Sequence, residues 1–400
     1  MTATTELLPP ASTSEPVSVR GIADVEGGRG YLRTSGYRRS PGDIPLSAAV
    51  IRQYGLRRGD EVEGTVSPDL ATPGGQGAPN QVNGHRSKGG GASRSALAVI
   101  TTINGRPAAQ GLRRPVFGDL TALYPSERLR LEDGDTSPTA RIIDLLAPIG
   151  KGQRGLIVAP PKAGKTIVLK TIAHAIAVGH PEVHLMLVLV GERPEEVTDL
   201  QRSVRGEVVY STFDESPAEH VRAAELAIER AKRLAELGTD VVILLDSLTR
   251  LGRAYNLAAS ATSRTLAGGL AASALQPPRQ FLGAARNLEE GGSVTILSTA
   301  LIDTGSLLDN VLFEEFKGTG NMELRLRRDL AEKRLFPAID PAPSGTRRDD
   351  LLMDASEHAA VVSLRRALAA LDPQHAVELL IEKSQQPNAA FLRQVHAART

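Results

Sequence analysis

Several residue types are absent or scarce in this 400-residue chain, and each absence excludes a class of protein. Cysteine is absent, which excludes a disulfide framework and thiolate-bound metal sites. Tryptophan is absent and aromatic residues make up only 3%, so few side chains can stack on nucleic-acid bases. The formal net charge is +1, so any nucleic-acid binding depends on local basic patches. No signal-like N-terminus or membrane-length apolar run occurs, so we expect a cytoplasmic protein without a membrane partner.

Changes of composition along the chain predict a small β-barrel followed by a larger α/β domain. Residues 1–18 are rich in Thr, Ser and Pro, as in a disordered tail. Short strands with glycine turns over 19–106 indicate an OB-fold-like or cold-shock-like barrel, with a low-complexity insertion at about 68–95. We expect a connector over 107–140. Over 141–400, strands alternate with helices and terminal helices follow, which predicts a mostly parallel sheet.

The most informative segment is Gly155-Leu-Ile-Val-Ala-Pro-Pro-Lys-Ala-Gly-Lys-Thr166. An apolar strand ends in a loop, and an amphipathic helix follows, as in a phosphate-binding P-loop. Lys165 would reach the β- and γ-phosphates, and the Thr166 hydroxyl would ligate Mg²⁺. The first position of the motif is Ala159 instead of Gly. The alternative is a chance Gly-Lys-Thr at the start of a helix.

Two further strands end in carboxylates. The apolar run that ends at Asp246 reads as a buried strand, so its carboxylate would lie where α/β sheets bind ligands. We assign Asp246 as the second Mg²⁺ ligand. The alternative role is that of a helix N-cap, and one residue can fill both roles. Glu192 ends the preceding strand and would polarise the attacking water. Glu195 and Glu196 follow Pro194 and are interpreted as the acidic first turn of a helix.

Several longer blocks resemble the family of transcription termination factor Rho. The resemblance is continuous from about residue 140 to residue 352 and weaker through the barrel. Besides the P-loop, it rests on Glu192-Arg-Pro-Glu-Glu-Val197, Ser211-Thr-Phe-Asp-Glu215, Phe281-Leu-Gly-Ala-Ala-Arg-Asn287, Thr299-Ala-Leu-Ile-Asp-Thr-Gly305, Glu314-Glu-Phe-Lys-Gly-Thr-Gly-Asn321 and Ser344-Gly-Thr-Arg347. It implies an α/β fold with a RecA-like P-loop ATPase core behind the small barrel. It also implies a homo-hexameric ATPase that moves 5′ to 3′ along single-stranded RNA and dissociates transcription complexes containing RNA polymerase.

The resemblance assigns roles around bound ATP. Arg193 would lie near the nucleotide, and Phe336 would stack on adenine. Arg347 resembles the arginine finger that reaches a neighbouring subunit's γ-phosphate, and Arg334 resembles a second interface arginine. A solvated surface charge is the alternative for any single arginine. The remaining nucleotide contacts come from the P-loop and the turn after it: Lys162, Ala163, Gly164, Lys165, Thr166 and Ile167.

The RNA-binding positions match the family less closely. Tyr31, Arg33, Arg264 and Lys317 correspond to RNA contacts or to the machinery that couples them to hydrolysis. Three positions depart: Arg29 and Pro45 replace barrel aromatics, and Leu307 replaces a channel lysine. We therefore predict weakened or altered binding of RNA by the barrel.

Two other functions remain open from the sequence. One is a different RecA-like ring, such as a proton-driven or export ATPase subunit, against which the Ser344–Arg347 and Glu314–Asn321 blocks argue. The other is a non-motor Rho-like paralogue that binds ATP and regulates or co-assembles with a full-length Rho. Leu307 and Pro45 keep that alternative open.

Overall fold

A computed structural model describes residues 17–66, 97–108, 114–259 and 263–397, and the chain divides into two units, 1–113 and 114–400. The predicted tail, apart from Val17 and Ser18, and the predicted insertion lie outside the described residues. The division falls inside the predicted connector. From Arg114 onward that stretch belongs to the second unit, where Leu129 and Leu131 are fully buried in the core.

The first unit is a six-stranded antiparallel sheet in the order β3-β2-β1-β4-β5-β6. Its elements are β1 Val17–Glu26, β2 Arg29–Arg33, β3 Ile44–Leu46, α1 Ala48–Tyr54, β4 Glu61–Val66, β5 Leu97–Ile103 and β6 Arg106–Pro107. Gly27 and Gly28 both have positive φ, which gives a two-residue hairpin loop the twist that β1 and β2 require. Edge strand β3 packs near β5, and alternate residues fill the interior of the predicted barrel.

The second unit is built on a nine-stranded sheet whose central path is β12-β11-β13-β15-β10-β16-β17. The strands of this unit are β7 Ala122–Leu123, β8 Arg128–Leu129, β9 Ile149–Gly150, β10 Arg154–Ala159, β11 His184–Glu192, β12 Glu207–Thr212, β13 Val241–Asp246, β14 Arg286–Leu288, β15 Ser293–Leu301, β16 Met322–Arg325 and β17 Gly345–Thr346. Strands β8 and β9 pair in a separate two-stranded sheet, and the other nine form the large sheet. Neighbouring strands from β12 to β16 are parallel, as predicted. Their carboxyl ends therefore meet at one edge of the sheet, which we call the carboxyl edge. The opposite edge is called the amino edge.

Helices connect these strands and cover the sheet. Their bounds are α2 Pro138–Leu146, α3 Lys165–Gly179, α4 Pro194–Ser203, α5 Pro217–Ala235, α6 Leu248–Ala258, α7 Gln276–Gly283, α8 Leu307–Lys317, α9 Arg328–Glu332, α10 Ala355–Ala369, α11 Pro373–Lys383 and α12 Asn388–Ala397. Strand β13 is buried throughout, since it is central and apolar up to its terminal carboxylate. One core joins the sheet to the three C-terminal helices. Among the residues that the structure describes, no helix combines the length and apolarity needed to cross a membrane.

Candidate active site

The loop between β10 and α3 lies at the carboxyl edge and has an unusual backbone. Gly164 is the N-cap of α3 with φ 92° and ψ 18°, and Lys162 has a φ of 66°. The first amides of a helix lack intrahelical acceptors, and the helix dipole adds positive potential there. The loop therefore has the geometry of an anion site suited to phosphate.

Three charged side chains converge beside this loop. Nζ of Lys165 lies 2.5 Å from Oδ1 of Asp246 and 3.4 Å from Oε1 of Glu192. Both carboxylate side chains are only 3% exposed, because each ends a buried strand. Oδ1 of Asp246 also accepts a hydrogen bond from Oγ1 of Thr299 at 2.7 Å. Residues from three separate strand ends and one helix thus form a single polar cluster.

The environment of Glu192 changes its acidity. Burial, and after it the nearby Asp246 carboxylate, raise the pKa of Glu192 to about 7, while Lys165 and Arg250 oppose the shift. A carboxyl group that titrates near neutral pH can accept a proton at working pH and release it again. This property suits the role of polarising an attacking water molecule.

Sequence reasoning missed two members of the cluster. Nη1 of Arg250 lies 3.1 Å from Oε1 of Glu192 and donates to the carbonyl of Gly191, whose φ is 66°. Arg250 lies four residues after Asp246, in the first turn of α6, and that spacing was the available signal. Thr299 lies in one of the blocks that carry the family resemblance, but nothing in the sequence pairs it with Asp246.

Other predicted nucleotide residues surround the loop. Phe336 is 39% exposed, and its ring lies over Gly164, where a Cβ would approach Cε1 to 3.3 Å. Ile167 is 55% exposed in the first turn of α3, whereas Ala163 is buried. An exposed apolar surface beside the loop is therefore available to a flat ligand group.

The arginines predicted to lie near the nucleotide or at a subunit interface occupy different places. Arg334 is exposed two residues before Phe336 and so belongs to the same neighbourhood. Arg193 is exposed as the N-cap of α4 and pairs with Glu196 at 2.8 Å. Arg347 follows β17, which pairs with the first residues of β16, and therefore lies at the amino edge. The structure does not bring Arg347 to the P-loop of its own chain.

The predicted RNA contacts are also distributed over the chain. Tyr31 is 49% exposed on β2, with the Arg33 guanidinium 5.3 Å from its ring centre. Arg33 itself is buried, and it bonds Asp24 at 2.5 Å and Asp43 at 2.6 Å. Its charge is thus neutralised inside the barrel, where it supports the Tyr31 ring instead of standing in solvent.

The channel positions belong to the second unit. Arg264 is exposed in the segment after α6. That segment contacts the start of α8, since a Cβ on Gly268 would lie 3.1 Å from the backbone of Leu307. Leu307 is 63% exposed. Lys317, at the other end of α8, is exposed and lines a cavity at the amino edge together with Arg347.

Comparison with known families assigns both units. Residues 19–109 match the Rho termination factor RNA-binding domain, and residues 139–346 match the nucleotide-binding domain of the ATP synthase alpha/beta family. The predicted fold class, an OB-fold barrel followed in the chain by a mostly parallel P-loop ATPase core, is therefore confirmed. An ATPase from the type III secretion system of pathogenic bacteria superposes with a TM-score of 0.56 at 23% identity, covering 73% of this chain and 88% of that one.

Curated relatives are similar over almost the whole chain. Transcription termination factor Rho of Micrococcus luteus is 55% identical over 94% of this chain, and the match covers 53% of that protein. Rho of Streptosporangium roseum is 55% identical over 94% of this chain and 92% of that protein. The chain thus spans about half the length of some relatives and nearly all of another.

Proposed function

The chain belongs to the Rho family of transcription termination factors, and from this premise we propose that it is an RNA-dependent ATPase that translocates 5′ to 3′ along single-stranded RNA. The proposed working form is a homo-hexameric ring in the cytoplasm that dissociates transcription complexes containing RNA polymerase. The observation that carries the proposal is the cluster of Lys165, Asp246 and Glu192 beside the P-loop. In this cluster Lys165 supplies a cation that would bind phosphate, and Glu192 supplies a buried carboxylate that would polarise water.

The residues around the loop suit ATP as substrate. Lys162 and Lys165, with the loop amides, would bind its phosphates, and Phe336 and Ile167 would hold the base. Arg193 lies one residue beyond Glu192 and would contact the same nucleotide. Glu192 would orient the attacking water and take its proton as the bond to the γ-phosphate breaks.

A Mg²⁺ ion fits the residues present. The Thr166 hydroxyl and the Asp246 carboxylate offer hard oxygen ligands, which Mg²⁺ prefers. Thr299 donates to Asp246 and would fix the orientation of that carboxylate. When bound, Mg²⁺ would neutralise charge on the β- and γ-phosphates.

The position of Arg347 supports a multi-subunit site. Its side chain lies at the amino edge, and the P-loop lies at the carboxyl edge of the same sheet. An arginine that assists hydrolysis from there must act on the nucleotide of another copy, as an arginine finger does. We assign Arg347 this role and Arg334, beside Phe336, a place at the same subunit interface.

RNA would contact both units. Tyr31 offers the barrel a stacking surface, and Arg264 and Lys317 would act in the ATPase unit, at the RNA channel and in its coupling to hydrolysis. The test is steady-state ATP hydrolysis by the full chain with and without poly(C) and mixed-sequence RNA. Strong stimulation is expected, and ATP binding without any stimulation would overturn the motor function.

A second candidate is favoured by two positions. The exposed Leu307 lacks the charge that grips a phosphate, and Pro45 lies opposite Tyr31 without an aromatic ring. A non-motor paralogue that binds ATP and joins rings of a full-length Rho would tolerate both changes. Native mass spectrometry of this chain mixed with a full-length Rho would then show mixed hexamers with little RNA-stimulated turnover.

A further inference from the structure

The turn after β17 carries two adjacent arginines, and the structure holds them differently. The backbone N–H of Arg347 donates to the Asn321 carbonyl at 2.8 Å. Within the described part of the chain its guanidinium has no ion-pair or hydrogen-bond partner. The guanidinium of Arg348 is bonded to both carboxylate oxygens of Asp350, at 3.0 Å each, and stacks 5.6 Å from the ring centre of Tyr124. One arginine is available and the other is anchored.

The anchored arginine also has a strained backbone. Arg348 has φ 57° and ψ 38°, the left-handed conformation that residues other than glycine adopt at a cost. Non-glycine residues keep this conformation where surrounding contacts impose it. Three contacts surround this backbone: the Asp350 ion pair, the Tyr124 ring and the hydrogen bond that the Arg348 carbonyl accepts from the Leu351 N–H at 3.0 Å. Two of the three are made by the Arg348 side chain, which thus helps to fix the direction of the chain after Arg347.

The sheet fixes the backbone that leads into Tyr124, whose side chain is exposed. Tyr124 directly follows β7, which pairs with β14 through Leu123 and Asn287. Its side chain is 65% exposed and lines an open cavity of about 700 Å³ with Arg154, Arg347 and Arg348. An exposed ring and three guanidinium groups at one cavity match a planar or anionic group better than an apolar one.

Two other contacts fix the rest of the turn. Oγ1 of Thr346 donates to the Pro148 carbonyl at 2.7 Å, and Arg365 donates to the Ser344 carbonyl at 2.9 Å. The turn is therefore held before Arg347 by hydrogen bonds. After Arg347 it is held by the Arg348–Asp350 ion pair, by the hydrogen bond from the Leu351 N–H to the Arg348 carbonyl and by the Tyr124 ring. Loss of the ring would remove the one of these three contacts that comes from outside the turn.

We propose that Tyr124 and Arg348 are positioning residues that aim Arg347 at the nucleotide bound by a second copy of this chain. The proposal rests on the proposed function and deepens it. Neither residue touches the reacting atoms: Arg348 stays bonded to Asp350, and Tyr124 restrains it. The two adjacent arginines thus have different roles, Arg347 at the nucleotide and Arg348 in the support of the turn.

Kinetics of the full-length chain test this role. Tyr124→Leu should lower kcat by about 10- to 100-fold, less than the 10³–10⁵-fold effect of an arginine finger, with KM and ATP binding unchanged. Tyr124→Phe keeps the ring and should recover most of the rate. Leu371→Ala, which shortens another exposed apolar side chain, is the matched control. Parental kcat in Tyr124→Leu would overturn the proposal.

A second variant separates positioning from folding. Arg348→Gly accepts a positive φ without strain, so it should be at least as stable as the parent while losing rate like Tyr124→Leu. A stable Arg348→Gly protein with parental kcat would contradict the anchoring role, even if Tyr124→Leu failed to assemble.

Mixed rings distinguish this proposal from the trans-acting site itself. Arg347→Ala and Lys165→Ala subunits, each inactive alone, should recover single-turnover hydrolysis when mixed, because an intact P-loop then meets an intact finger. Tyr124→Leu mixed with Lys165→Ala should recover it in the same way. Failure of the first mixture rejects the trans-acting finger. If the first mixture recovers hydrolysis and the second does not, Tyr124 acts on the nucleotide bound by its own subunit, and the positioning role is rejected.

Discussion

Arg347 and Lys165 lie at opposite ends of the three neighbouring strands β10, β16 and β17. Gly155, near the start of β10, pairs with Met322, and Met322 pairs with Thr346 next to Arg347. Lys165 follows the other end of β10 through the P-loop. A six-residue strand spans about 20 Å, which no arginine side chain can cross. Their cooperation in one reaction therefore requires two copies of the chain.

Substitution of the two residues should separate binding from hydrolysis. Lys165→Ala removes a phosphate ligand and should abolish both ATP binding and turnover. Arg347→Ala should lower kcat by about 10³–10⁵-fold while ATP affinity stays largely unchanged. Titration with a fluorescent ATP analogue, beside steady-state turnover, measures both. Arg366→Ala, an exposed arginine on α10, is the control, and equal loss of ATP affinity in Lys165→Ala and Arg347→Ala would count against the finger.

The raised pKa of Glu192 predicts a pH-dependent stability. Burial and Asp246 raise this pKa from 4.5 to about 7, so the folded protein binds the proton more tightly than the unfolded chain. The free energy of unfolding therefore falls as pH rises from about 4.5 to about 7, and the loss is complete above that range.

Glu192→Gln cannot ionise and should escape this loss. We expect it to be more stable than the parent at pH 8 by roughly 1–3 kcal/mol, with the difference shrinking towards pH 5. Denaturant titrations at both pH values check this, and the exposed Glu195→Gln serves as control. A constant difference across the range would show that Glu192 does not titrate there.

Tyr31 should dominate RNA binding by the barrel. It lies directly across the β2–β3 ladder from Pro45, so the pair offers one aromatic ring. Tyr31→Ala should weaken RNA binding by about 1–3 kcal/mol, whereas Tyr31→Phe keeps the stacking surface. Pro45→Tyr should strengthen binding. Fluorescence anisotropy with cytidine-rich and mixed RNA measures these changes, and tight, cytidine-selective binding by the parent would oppose the prediction of a weakened barrel.

Leu307 should determine part of the salt dependence of RNA binding. It is 63% exposed in the first turn of α8, so a lysine there fits without disturbing the core. Leu307→Lys should steepen the slope of log Kobs against log salt by about 0.7 for a single strand, because one more phosphate is neutralised. Leu371→Lys adds the same charge elsewhere. An equal slope in the parent, Leu307→Lys and Leu371→Lys would show that residue 307 does not contact RNA.

Much of the site could be predicted because its parts are local. The P-loop, the strand ending at Asp246 and the strand ending at Glu192 are each legible as short runs, and parallel strands necessarily gather their carboxyl ends. The contacts of Arg250 and Thr299 could not be predicted in this way. They depend on which strands are neighbours in the sheet. Strand β13 lies between β11 and β15, although β12 and β14 separate these strands along the chain.

The sequence by itself determined the two folds, the phosphate loop and the identity of the charged groups, because periodicity and glycine placement act over a few residues. Only the tertiary structure decided how those groups are held. It buried Arg33 between two carboxylates, placed Lys165 between Asp246 and Glu192, and set the Arg348 guanidinium against the Tyr124 ring. These contacts join segments that are separated in the chain, and no local pattern encodes them.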